Sequence, residues 1–413
     1  MNRWIQLAAA VMAMIMISNL QYAWTLFVRP LQEATGWKLS DIQWGFTLFI
    51  IFETWIMPIE GWMIDRMGPR VFLSIAGVLC GIGWTALGTI ETLTQLYVYY
   101  AIAGVGAAFV YSGAIATALK WFPDKRGLAS GLITAGFGSG SALFIPLIAW
   151  LIENESYRTA FYYTGIVQGL IILLAAQWLK NPPADWMAGR SGASSLSAAV
   201  RRNSQQMTTP EMLRTPHFYW LYAMFVMMAT GGLLVTAHAG PLAKEWGFSL
   251  TVLTAALALD RLSNGGGRIF WGWVSDRIGR EKTMAIAFIA QAGSLLFLLE
   301  VGRLSGVLFA AGLVLTYFTW GPIFALFPSI TGDYFGSRNA TSNYSFMYSA
   351  KGVASIIGGG LAAMLAERFG GWSAALYGSA ALALVAGLMA LALRAAPLPG
   401  KTEKEPVATA QTA

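Results

Sequence analysis

Twelve apolar stretches, each about as long as a bilayer is thick, follow one another along this chain, at roughly 4–28, 41–64, 70–90, 95–119, 128–152, 159–180, 217–241, 251–275, 282–302, 306–330, 340–366 and 373–395. Some 20 apolar residues in a helix cross the hydrocarbon core. Lipid offers no partner to a free backbone N–H or C=O, so a spanning segment is either a helix or a strand of a closed barrel. The alternation of a barrel strand is absent, which leaves helices. The expected fold class is an all-α membrane protein with twelve transmembrane helices. With 56% hydrophobic and 11% charged residues among 413, a soluble globular domain is excluded. Ala8-Ala9-Ala10 mimics a cleavage site, but the first apolar run continues to about Val28, so it reads as a membrane helix and not a removed signal. The single cysteine, Cys80, rules out an intrachain disulfide.

A polar stretch over 181–216, rich in Pro, Ser, Gln and Arg, separates six apolar segments from six. The expected organisation is an N-terminal six-helix bundle over 1–180, a linker over 181–216, a C-terminal bundle over 217–395 and a tail over 396–413. Thr209-Pro210-Glu211 reads as a helix start, with Thr209 as N-cap. The tail, polar from Pro397, reads as disordered. A net charge of +7 raises the question of nucleic acid, but the basic residues sit in short loops between apolar runs. Eighteen Lys and Arg fall in one set of loops and tails, six in the other and three inside segments. The positive-inside rule then places both termini and the linker in the cytoplasm.

Two turns repeat. Gly61-Trp62-Met63-Ile64-Asp65-Arg66-Met67-Gly68-Pro69-Arg70 follows segment two, and Gly272-Trp273-Val274-Ser275-Asp276-Arg277-Ile278-Gly279-Arg280 ends segment eight. Both read G-W-x-x-D-R-x-G at the same place in each half, as expected of a transporter built from repeats. Glycine supplies backbone freedom in the turn. The acid can pair with basic residues or a helix N-terminus to hold a gate. Asp65, Arg66, Arg70, Asp276, Arg277 and Arg280 are therefore gating candidates.

Five ionisable residues fall well inside segments: Glu53, Asp260, Arg261, Arg268 and Lys351. Charge at that depth is costly and faces a bundle interior or a watery cavity. Arg268 lies eight residues before Asp276, about 12 Å of helix. Lys351 lies thirteen residues after Arg338, about 20 Å of helix. Arg261, Asn264 and Arg268 share one helix face. Arg268 can grip a carboxylate with two parallel hydrogen bonds, and Lys351 offers a point charge to a second anionic group. Alternatively the two cations pair with Asp260 and Glu53 and only hold helices together. Glu53 either titrates, pairing with a cation in one state and protonated in the other, or never titrates. Asp260 and Arg261 are candidates for gating or for an internal ion pair. No metal-ligand spacing, nucleotide loop or serine-nucleophile signature appears, so no cofactor, metal or enzyme activity is expected. The glycines from Gly127 to Gly140 read as close helix packing.

The loop signature and the twelve-segment plan resemble the major facilitator superfamily. Closer likeness lies in Gln21-Tyr22-Ala23-Trp24-Thr25-Leu26, Trp121-Phe122-Pro123-Asp124-Lys125-Arg126-Gly127-Leu128-Ala129-Ser130-Gly131, Met212-Leu213-Arg214-Thr215-Pro216, Asn264 to Trp271, Phe318-Thr319-Trp320-Gly321, Ala325-Leu326-Phe327-Pro328-Ser329 and Ala350-Lys351. These stretches are similar to the bacterial oxalate:formate antiporter family, a relative of the monocarboxylate transporters. The resemblance implies two six-helix bundles rocking about a central cavity, with an arginine and a lysine at Arg268 and Lys351 holding a dicarboxylate. It implies a cavity lined by Gln21, Tyr22, Tyr111 and Trp320, with Phe137, Phe324 and Tyr348 as further aromatics near segment centres. The chain departs from the family at Phe137 and Phe324, where tyrosine is expected, and at Glu53, where an uncharged residue is expected.

The leading expectation is a secondary transporter of small carboxylates, oxalate against formate, working as a monomer in the inner membrane of a bacterium. Its partners would be small carboxylate anions and the bilayer, with no nucleic acid. A proton-coupled symporter of lactate- or pyruvate-like monocarboxylates is the alternative. A membrane sensor that binds a carboxylate is the third, disfavoured by the short linker and tail.

Overall fold

The computed structural model describes residues 2–122, 126–183, 200–336 and 338–400, apart from the side chains of Gly61, Trp62, Asp65, Arg126, Gly127 and Leu128. Among the described residues every regular element is a helix. Segment one is Arg3–Tyr22 followed by Trp24–Thr35; segment two begins at Leu39 and runs through Trp55 into Met57–Ala86, which also carries segment three. Segment four is Leu93–Trp121, segment five Arg126–Ser139 with Ile145–Asn154, and segment six Tyr157–Trp178. Segments seven, eight and nine are Pro216–Glu245, Leu250–Ile278 and Arg280–Glu300. Segment ten is Gly306–Trp320 with Ile323–Phe335. Segment eleven comprises Ala340–Tyr348, Ala350–Ser355, a wider π turn over Ile356–Leu361 and Ala362–Phe369, and segment twelve is Ser373–Ala395.

Hydroxyl side chains start many of these helices. Thr92, Ser156, Thr215, Ser249 and Ser305 each accept a backbone N–H of the first turn, which satisfies a donor that has no intrahelical partner. At the short helix Thr209–Leu213 the cap is Thr208, one residue earlier than the sequence reading, because Glu211 reaches back to Thr208 in a capping box.

Among the described residues eleven helical stretches are long and apolar enough to cross a membrane. The segment outside that set is segment eight, whose 29 residues carry Asp260, Arg261 and Arg268. Its length matches a span and its charges break the apolar run. Segments three, six, nine and twelve lie on the periphery, three against four and six, nine against ten and twelve. Their outer faces carry exposed Ile82, Leu170, Leu174, Ile286 and Leu388, as expected of surfaces that meet lipid. Close approach there depends on glycine: a Cβ on Gly169 would stand 2.7 Å from the Cα of Gly81. Segments one, two, four, five, seven, eight, ten and eleven surround the centre.

Helices alternate in direction, so both termini and the 181–216 connection share one end, here termed the linker end. The described part of the connection is pinned there. Arg201 donates to the carbonyls of Arg394 and Ala396 at 2.8 and 2.6 Å, and Asn203 Nδ2 donates to the carbonyl of Pro399 at 2.8 Å. Residues Pro397 to Gly400 are thus ordered, against the disorder expected from their polarity, because the connection supplies their partners. The rest of the tail and residues 184–199 lie outside the described residues.

Candidate functional site

Segments one, two, four and five of the first half and segments eight, ten and eleven of the second bring their charged and aromatic residues to one buried cluster. Lys351 Nζ stands 2.9 and 2.8 Å from the two oxygens of Glu53, 2.7 Å from Gln21 Oε1 and 3.3 Å from the Tyr348 hydroxyl. Lys351 and Glu53 are 0% and 1% exposed, so three acceptors on two other segments replace the hydration shell of the ammonium group. Glycine makes this approach possible: a Cβ on Gly352 would lie 2.4 Å from Trp55 Nε1, which donates to the Ser349 carbonyl at 3.1 Å.

Arg268 is buried differently. Its guanidinium donates to the Thr134 carbonyl at 2.9 Å, to the Tyr22 hydroxyl at 3.3 Å and to Asn264 Oδ1 at 3.4 Å. Among the described residues no carboxylate pairs with it. Gly138 leaves the room it occupies, since a Cβ there would meet the guanidinium at 3.1 Å. The Phe324 and Phe137 rings lie 4.5 and 5.9 Å from its Cζ, and the same two rings lie 5.7 and 5.6 Å from Lys351 Nζ. Both cations therefore border the same pair of aromatic faces, whose quadrupoles favour positive charge. Around them Tyr111 stacks on Tyr348 at 5.3 Å, Tyr22 packs on Phe137 at 5.3 Å, and Trp320 meets Phe324 at 5.1 Å. The arrangement can hold a small planar anion between rings, with a forked donor at one side and an ammonium at the other.

A second pair is self-contained. Asp260 accepts a hydrogen bond from Arg261 on the same helix, and the Arg261 guanidinium lies between the rings of Tyr22 and Tyr317, 4.4 and 3.7 Å from their centroids. Asp260 thus does not reach Arg268.

Away from the linker end, hydrogen bonds lock the halves together. Ser40 donates its N–H and its hydroxyl to Glu367 at 2.9 Å each. Gln43 donates to the Ala237 carbonyl at 2.8 Å, the Gly240 N–H donates to Thr25 at 2.6 Å, and Thr47 donates to the Ser355 carbonyl at 3.0 Å. Towards the linker end a cleft of about 360 Å³ runs between segments five, eight and ten from Arg268, Thr134 and Phe324 to Asp276 and Arg280. The cluster is sealed on one side and bordered by a cleft on the other, which is the geometry of an alternating-access carrier closed at its far end.

A family model described as "Major Facilitator Superfamily" matches residues 7–237 and 219–412. The chain is 40% identical to the oxalate:formate antiporter of Oxalobacter formigenes over 98% of its own length and 94% of that protein. The chain belongs to the major facilitator superfamily. This facilitator is also 27% identical to monocarboxylate transporter 12 of Xenopus laevis, over 77% of its own length and 72% of that protein. It is 24% identical to apicoplast pyruvate carrier 1 of Toxoplasma gondii, over 77% and 68% of the two chains. It is a multi-pass membrane transporter of a family of carriers, not enzymes.

In this facilitator Gln21, Tyr22, Tyr111, Phe137, Arg268, Trp320, Phe324, Tyr348 and Lys351 all reach the cluster, and Glu53 joins them. The loop residues do not. Gly68 and Gly279 adopt matching left-handed conformations, φ 72° and 96°, so the repeat is structural as well as sequential. Asp276 pairs with Arg280 at 2.6 Å, and Arg280 Nε with Asp333 at 2.9 Å. Among the described residues that network joins the second half to Arg202 of the linker and does not cross to the first half. Arg277 lies 3.6 Å from the Trp273 ring centroid, and Arg70 donates to the Gln177 carbonyl at 2.7 Å. Arg66 lies on the exposed side of its helix, and the Asp65 side chain is outside the described residues. Sequence reasoning missed Asp333, Ser40, Glu367 and the Thr134 carbonyl. Asp333 was detectable, as an acid at the linker end of an apolar segment. A backbone carbonyl has no sequence signal at all.

Proposed function

We propose that this transporter exchanges small carboxylates across the bilayer, with oxalate against formate as the leading case, and that Arg268 and Lys351 hold the anion. One observation carries the reading. Arg261 is held by Asp260, and among the described residues the other two buried cations, Arg268 and Lys351, are answered by one carboxylate, that of Glu53. The cluster thus keeps one positive charge that protein groups leave uncompensated. Burying a bare ion costs several kcal/mol even after relaxation, on the order of 5. A carrier without substrate therefore reorients slowly, and one loaded with an anion reorients readily. That asymmetry is what exchange requires. The phenyl rings at Phe137 and Phe324 offer no hydroxyl to the anion, so affinity rests on the two cations, Gln21 and the tyrosines Tyr22, Tyr111 and Tyr348.

The 1–180 and 217–395 halves rock about this cluster as rigid bundles. The far-end bonds from Ser40 and Gln43 break in one direction, and the linker-end cleft closes. The linker end faces the cytoplasm of a bacterial inner membrane, on the concentration of Lys and Arg there, and the carrier works as a monomer. Cysteines placed at Thr92 and Ser194 report the orientation, since Cys80 is buried and does not compete for reagent. A membrane-impermeant maleimide should label the first and not the second in sealed cells. Counterflow in proteoliposomes, with a panel of labelled carboxylates, tests substrate and exchange together. Oxalate and formate should each drive uptake of the other, and vesicles without internal anion should take up little. The placement of Glu53 on Lys351 favours a second reading, proton-coupled uptake of a monocarboxylate, which predicts rapid uptake into empty vesicles along a proton gradient.

A further inference from the structure

We propose that Glu53 makes the proton, and not the membrane potential, the partner of every doubly charged substrate, so that exchange of a dicarboxylate for a monocarboxylate moves no net charge. The inference rests on the carboxylate-exchange reading and deepens it. It follows from a count of buried charge. Arg268 and Lys351 contribute two positive charges and Glu53 one negative charge, all within one cluster. Asp260 and Arg261 cancel each other on one helix. Glu60 is buried on the same segment as Glu53 with no partner for either oxygen among the described residues, so it pairs with neither cation and counts as a neutral carboxyl. One positive charge remains, which a single carboxylate balances. A dicarboxylate brings two negative charges and leaves the cluster one short of neutrality, unless Glu53 takes up a proton.

The geometry makes this exchange of charge direct. Both Glu53 oxygens lie on the Lys351 ammonium at 2.9 and 2.8 Å. A substrate carboxylate cannot occupy Lys351 fully while Glu53 does. Protonation of one Glu53 oxygen removes its charge, releases Lys351, and lets the second carboxylate of the substrate take the position Glu53 held. The ionisable groups facing Glu53 are Lys351 and Tyr348 from segment eleven, Arg268 from segment eight, Tyr22 from segment one, Tyr100 and Tyr111 from segment four, and Glu60 further along segment two. Gln21 is the uncharged neighbour. The tyrosines are neutral at physiological pH. Glu53 is accordingly the carboxylate whose charge is set against the substrate at Lys351. The proton comes from the solvent on the side where the dicarboxylate binds. It leaves on the other side, when the dicarboxylate departs and Glu53 returns to Lys351. A monocarboxylate travels on Arg268 with Glu53 ionised and carries no proton. Each loaded form is then neutral at the cluster. One oxalate plus one proton inward against one formate outward transfers one negative charge each way.

Proteoliposomes loaded with formate and a trapped pH dye, with the potential clamped by potassium and valinomycin, test this. The parent should take up labelled oxalate to the same final distribution at clamped potentials of either sign. It should acidify the lumen by about one proton per oxalate, and uptake should rise as external pH falls. Glu53→Gln should lose the proton movement and acquire a response to potential. One net charge across 100 mV is worth about a 50-fold change in the final oxalate distribution. Oxalate–formate exchange that follows the potential and carries no proton in the parent overturns the role of Glu53 and leaves carboxylate exchange standing. A protein that exchanges only monocarboxylates overturns both. If Glu53→Gln is inserted but inactive, the proton count of the parent decides alone.

Discussion

Two buried ion pairs lie within a few helical turns of each other in this transporter, and they are placed differently with respect to the two halves. Arg261 and Asp260 are neighbours on one helix, so the pair moves as a unit however the halves are arranged. Lys351 and Glu53 are 298 residues apart and belong to opposite halves. Their bond lies across the surface that must open and close. The pair of Arg261 and Asp260 itself lies inside one rigid body, and only the contact of Arg261 with the Tyr22 ring reaches the other half. On the proposed cycle a pair across the moving surface would be formed in some states and broken in others, so it could be traded for substrate or for a proton. On that cycle, position relative to the moving bodies, and not burial, separates a structural pair from a working one.

Substitution of Lys351 is the strongest way to break that distinction. Lys351→Gln should abolish exchange and also strand Glu53, with a loss of about 3–5 kcal/mol of stability. Adding Glu53→Gln to it should restore thermal stability in detergent without restoring counterflow. Recovery of counterflow in the double variant would make the pair a mere strut.

Arg268→Lys comes next. It keeps the charge but loses the planar fork, and exchange per inserted molecule should fall by roughly 100-fold, or about 3 kcal/mol. An unchanged rate would mean that Arg268 only anchors the Thr134 carbonyl. At the other pair, Asp260→Asn should lower stability by about 3 kcal/mol, somewhat eased by the flanking rings. The rate per folded molecule and its proton stoichiometry should stay as in the parent. A shift in either would bring Asp260 into the transport cycle and collapse the contrast.

The smallest effect is expected at the far-end latch. Glu367→Gln weakens two hydrogen bonds from Ser40 that a carboxylate strengthens by its charge, a change of about 1 kcal/mol. A reporter cysteine replacing the buried Ile50 should then react about fivefold faster with a maleimide added at the far end. Unaltered reactivity would show that Ser40 and Glu367 do not hold the closed arrangement.

Much of this architecture was legible in the sequence, for local reasons. A run of about 20 apolar residues has one solution in lipid, and that solution depends on no distant residue. The repeated G-W-x-x-D-R-x-G turn carries its own geometry in Gly68 and Gly279, which take left-handed φ values of 72° and 96°. The depth of Arg268 and Lys351 follows from helical rise alone, and so does the requirement that each find an internal partner. Two expectations failed, one for a local reason and one for a distant one. The helix cap fell on Thr208 instead of Thr209 because Glu211 selects it, and residues Pro397 to Gly400 are ordered because residues distant in sequence supply hydrogen bonds to them.

Which partner each charge found was decided only by the tertiary structure. The sequence offered Glu53 and Asp260 as acids and Lys351, Arg268 and Arg261 as bases, without assigning them. Helix packing gave Glu53 to Lys351, left Asp260 with its neighbour, and turned Arg268 towards a backbone carbonyl past Gly138, where a side chain would have stood in its way. The physical reason is the range of the forces involved. Hydrophobic length and helical rise act along contiguous residues and can be read in order. An ion pair between residues 298 apart depends on how two helices cross, to within an ångström, and no local pattern carries that distance.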